Sequence, residues 1–118
     1  MKGERLIKIA SKYIAHYGQR FNLDHWKISL EVGEIPDSMC GGQVEVLEDS
    51  KVAIMTLDQL KFTTDRAVKE VVKHEMVHIL LSPLERLETT LAAIDNPLVE
   101  PLVGSTNEQL AVLLCEIL

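Results

Sequence analysis

The apolar residues of this chain change their period near position 20, and that change limits the possible folds more than any other feature. Over residues 3 to 17 they fall at Leu6, Ile7, Ile9, Ala10, Tyr13, Ile14 and Tyr17, the three-and-four spacing of a helix with one buried stripe. Gly18 is read as its stop. From Trp26 the spacing alternates, with Trp26, Ile28, Leu30 and Val32 set against Lys27, Ser29 and Glu31. That pattern predicts a strand with one wet face.

Further along, Ile35, Pro36 and Asp37, followed by Gly41 and Gly42, mark a loop. Val44 and Val46, then Val52, Ile54 and Leu57, predict two more strands, with Glu48, Asp49 and Ser50 as the turn of a hairpin. Residues 58 to 63 carry no clear period. Thr64 can cap the next helix and Asp65 suits its first turn, so a helix is expected from there to about Leu81. Ser82, Pro83 and Glu85 signal a restart, with a helix over 83 to 94. Asn96, Pro97, Pro101 and Gly104 then make a loop. Ser105 and Glu108 repeat the capping box before a terminal helix. The expected fold is α+β: one domain over residues 1–118, with an N-terminal helix, a small mainly antiparallel sheet of about three strands, and three later helices.

The chain has 118 residues, 47% of them hydrophobic and 25% charged, a globular profile. Eighteen acidic against twelve basic residues give a net charge of −6. No window gathers Lys and Arg into a patch, so nucleic acid is not an expected partner. The first apolar stretch is interrupted by Glu4, Arg5, Lys8, Lys12 and His16, and no run approaches a membrane span. These features predict a soluble, cytoplasmic protein with no membrane partner. Two cysteines, Cys40 and Cys115, allow one bridge but not a disulfide framework.

His74-Glu75-Met76-Val77-His78 is the stretch with the most chemistry in it. Residues four apart on a helix share a face about one turn apart, so both imidazoles can reach one metal ion. Glu75 projects about 100° around the helix from His74, near an open coordination position without having to fill it, where a general base would stand. The face 67, 71, 74, 78, 81 reads Ala, Val, His, His, Leu and is expected to point inward, where unpaired imidazoles are costly. The plain alternative is a helix that happens to carry two histidines and a glutamate.

The run KHEMVHILL resembles the active-site helix of the zincin metallopeptidases, and the compact layout is similar to small single-domain members among phage-encoded and SprT-like proteins. The specific likeness covers residues 71 to 81, and the order of elements extends it loosely over most of the chain. It implies His74 and His78 as zinc ligands and Glu75 as base and proton shuttle. The metzincin branch places a further histidine downstream, and none follows His78. The gluzincin branch takes a glutamate from a later helix, for which this chain offers Glu85, Glu88, Glu100, Glu108 and Glu116. Glu108 is preferred, although it competes with a role in the Ser105 capping box and lies thirty residues beyond His78.

The resemblance implies a Zn2+-dependent peptidase, an endopeptidase rather than an exopeptidase, acting on a peptide or protein substrate or on one specific protein partner. Tyr13, Tyr17, His16 and His25 are candidates to polarise the substrate carbonyl, each with an ordinary core or surface role as the alternative. Cys40 is a candidate metal ligand or reactive thiol, and Cys115 a core residue. The rival function is non-catalytic: a zinc-binding structural domain or a protein-interaction domain on a peptidase-like scaffold.

Overall fold

The structure, a computed structural model, describes residues 1–36, 41–84, 112 and 114–116. The first helix, α1, spans Gly3–Arg20 and buries Leu6, Ala10 and Tyr17. It runs past Gly18, contrary to the expected stop. Termination falls instead on Asn22, whose φ of 58° is left-handed. The Leu23 N–H donates to Gly18 O at 2.7 Å and the Asn22 N–H to Gln19 O at 3.2 Å, the paired bonds of a Schellman end with asparagine in the place glycine commonly takes. Leu23 is thereby turned back into the core.

Three strands follow: β1 at Lys27–Val32, β2 at Gly42–Leu47 and β3 at Val52–Leu57. The expected hairpin joins β2 to β3 through a 3-10 turn at Glu48–Ser50, and Lys51 closes it in the left-handed region at φ 55°. The order in the sheet is β1-β3-β2, with β1 parallel and β2 antiparallel to β3. The sheet is therefore mixed, not mainly antiparallel. Side-chain charge explains the order. The sequence of β3, VAIMTL, has no charge and suits a strand paired on both sides, whereas β1 (KISLEV) and β2 (GQVEVL) carry Lys27, Glu31 and Glu45, which an edge tolerates.

On β3, Ala53, Met55 and Leu57 are wholly buried while Val52, Ile54 and Thr56 are half-buried. In register with the buried set stand Ile28, Leu30 and Val32 of β1 and Gly42, Val44 and Val46 of β2. This face meets the helices, α1 over β1 and α2 (Asp65–Leu80) over β2, with the two helices also packed on each other. Residues 58 to 63, which carry no period, hold a 3-10 turn at Gln59–Lys61. Its cap, Asp58, is buried and accepts from the Ile35 N–H at 3.1 Å and the Leu60 N–H at 3.0 Å. These two bonds, that to Ile35 foremost, hold the Asp58 carboxyl below the usual carboxylate range. A depressed folded-state pKa stabilises above the unfolded value of 3.8 and is lost as pH falls through the folded value. Wild-type protein is accordingly expected to exceed Asp58→Asn in stability at neutral pH, with the gap closing below pH 3.8 in parallel denaturant titrations.

Thr64 caps α2 as expected, its Oγ1 accepting from the Ala67 N–H at 3.1 Å. Thr64→Ala should cost about 1 kcal/mol of unfolding free energy, measured by urea titration. The Arg5–Asp65 ion pair beside it, at 3.0 Å, is more than half exposed on both partners and contributes at most about 1 kcal/mol. Beyond α2, Ser82, Pro83 and Leu84 are helical, as are Val112, Leu114, Cys115 and Glu116. Ser82 thus lies within the new helical turn, not ahead of it as a cap. The rest of the helix expected over 83–94 and the loop at 96–104 lie outside the described residues. Among the described residues no helix is long and apolar enough to cross a membrane.

Candidate functional site

The stripe of α2 that packs inward differs from the expected one. Val68, Val72, Glu75, Met76, Val77 and Ile79 are buried, whereas Ala67, Val71, His74, His78 and Leu81 are only half-buried. The histidines thus flank the core and the glutamate enters it. Glu75 is 5% exposed, and its Cγ lies 3.6 Å from where a Cβ on Gly42 would stand, so its stem lies against the start of β2.

His74 and His78 do stand together, as their spacing requires. Their Nε2 atoms are 3.1 Å apart, within hydrogen-bond distance. The rings meet edge to face at 78°. On the opposite side of His74, Nδ1 lies 3.8 Å from Cys115 Sγ. Cys115 is half-buried against the core, in agreement with the core role expected of it, and its contact with His74 had no signal in the sequence.

Among the described residues the donor set falls short of a zinc site. A structural or catalytic zinc takes at least three protein ligands. Among the described residues no group of three or more His, Cys, Asp or Glu side chains is placed to hold a metal ion. Glu108, the expected third ligand, lies outside the described residues, as do Glu85, Glu88, Glu100 and Cys40; Glu116 is exposed. The finding overturns the zincin resemblance and the readings that depend on it: the Zn2+ cofactor, the peptidase activity with Glu75 as its base, the zincin-like fold assignment, and the peptide or protein substrate.

Of the candidates for carbonyl polarisation, Tyr13, His16 and Tyr17 form one ring cluster on α1, and His25 stands apart beside Trp26. Tyr17 is 3% exposed, and burial, followed by the charge of Glu70, pushes its phenol up from the ordinary value. It stacks between Tyr13 and Phe21, with centroid distances of 6.5 and 5.4 Å. His16 is exposed and meets Tyr17 edge-on. His25 is exposed beside Trp26.

A second feature had no place among the expected sites. The C-terminal half of α1, its Schellman end and the start of β1 enclose an open groove of about 460 Å³. Ile14, Leu23, Trp26 and Ile28 supply apolar walls, Ala15 and Gly18 a low shoulder, and Gln19 and Asp24 its polar groups. Ala15, Gln19 and Asp24 are exposed. The turn at Asn22 creates the groove by folding Leu23 back and directing the chain into β1. Ile14, Trp26 and Ile28 were accounted for by the period of their own elements, whereas Leu23 fell in no predicted element, and the convergence of the four is new.

Comparisons with protein-family models, curated proteins and solved structures return no match.

Proposed function

We propose that this chain is a non-catalytic protein-interaction domain that seats a segment of a partner protein in the groove between α1 and β1. The groove carries this reading. Apolar side chains, a tryptophan among them, share its lining evenly with polar groups, so a docked segment can gain contact area and orientation together. Its 460 Å³ opening suits side chains of a docked segment. The rigid elements on both sides require little ordering on binding, which limits the entropic cost. The His74–Glu75–His78 constellation then has a structural part: Glu75 packs under β2 and the two rings meet on one face of α2.

The test is selection of displayed random peptides against the full chain and against Ala15→Tyr, which fills the groove from an exposed helical position. Peptides should be enriched on the wild type and lose at least about tenfold in affinity on the variant, with thermal melting unchanged. Enrichment indifferent to Ala15→Tyr, or no enrichment at all, would overturn the proposal.

A further inference from the structure

Resting on the interaction-domain reading, we infer that the group anchored in this groove is an arginine side chain of the partner. Asp24 is the one charged residue among those lining the groove, and it is exposed at the rim. A carboxylate over apolar walls is complementary to a side chain that is apolar along its stem and cationic at its tip. Ile14, Leu23 and Ile28 match the methylenes. Trp26, Gln19 and Asp24 line the same groove, so a guanidinium seated there has an indole to lie against and two polar side chains to meet its N–H groups.

One further observation favours a cation: the chain as a whole carries a net charge of −6, which draws basic partners toward it. Lys51 Nζ already stands 5.2 Å from the Trp26 ring centroid, so the incoming cation shares the indole with it. Arginine fits better than lysine because its planar fork can meet a carboxylate through two parallel bonds while lying on an aromatic face.

The experiment uses peptides selected on the full chain. One that binds is resynthesised with each arginine replaced by citrulline, which keeps the shape and removes the charge. Affinities are then measured for wild type and Asp24→Asn by fluorescence of Trp26, the single tryptophan. Citrulline at the anchoring position should weaken binding about tenfold on the wild type and far less on Asp24→Asn, because the partner carboxylate is already gone. Selected peptides that bind in the groove without arginine, or a citrulline loss equal in both proteins, would overturn the arginine assignment while leaving the interaction domain standing. Failure to select any peptide that Ala15→Tyr excludes would overturn both.

Discussion

Phe62→Ala is expected to remove about 3–5 kcal/mol of unfolding free energy, the largest loss of any substitution considered. Phe62 is 1% exposed and is the bulkiest of the wholly buried side chains. It sits between the 3-10 turn and α2, where one ring supports two junctions at once. Its edge also lies against Gly41, where an added Cβ would be 3.2 Å from Cζ, so the Gly41 backbone is laid over the ring. Truncation leaves a cavity that backbone on several sides would have to fill. Against a typical domain stability of about 5–15 kcal/mol, such a loss shifts the denaturant midpoint far enough for a single urea titration to show it. A loss under about 1 kcal/mol would mean that Phe62 is not a core residue.

Gly42→Ala is the second large effect, at about 1–3 kcal/mol. Gly42 opens β2 directly beneath α2. A Cβ there would stand 2.6 Å from Val71 Cγ1 and 2.9 Å from Leu57 Cδ2. Neither neighbour can retreat easily: Leu57 is wholly buried on the central strand, and Val71 is a β-branched helical residue with one favoured rotamer. Helix and strand would have to separate, and the contact between Gly42 and the Glu75 stem would open with them. The prediction therefore has a second readout. Pairing the substitution with Val71→Ala should recover part of the loss, because the smaller side chain vacates the space. Additive losses in the double variant would refute the steric explanation.

The fold was legible where local chemistry fixes local structure. Thr64 and Asp65 marked the start of α2, and Glu48 to Ser50 marked the hairpin turn, because capping and turn preferences act over a few residues. Gly18 misled because a glycine permits a helix end without requiring one. The left-handed residue is Asn22, which the glycine preference passed over. Strand order could have been drawn from charge, since VAIMTL alone lacks any, but alternation within each strand says nothing about which neighbours it takes.

The candidate site was legible only within one helix. The i, i+4 spacing did bring His74 and His78 together. The phase of the buried stripe was misjudged, because α2 is apolar on two adjoining faces and packing against both α1 and β2 selects the one carrying Glu75. A third metal ligand is a tertiary property, and no spacing beyond the helix could supply it. The groove was illegible for a related reason. Ile14 belonged to a helical stripe and Trp26 and Ile28 to a strand pattern, so nothing in either period indicated that they converge around Asp24.

The central claim is tested most directly by adding a selected peptide to the isotopically labelled full chain, following backbone amide shifts by NMR, and examining the peptide afterwards. The account predicts shifts concentrated at Ala15, Gly18, Gln19, Asp24 and Trp26, with the peptide recovered intact. Shifts centred on His74, Glu75 and His78, accompanied by cleavage of the peptide, would contradict it.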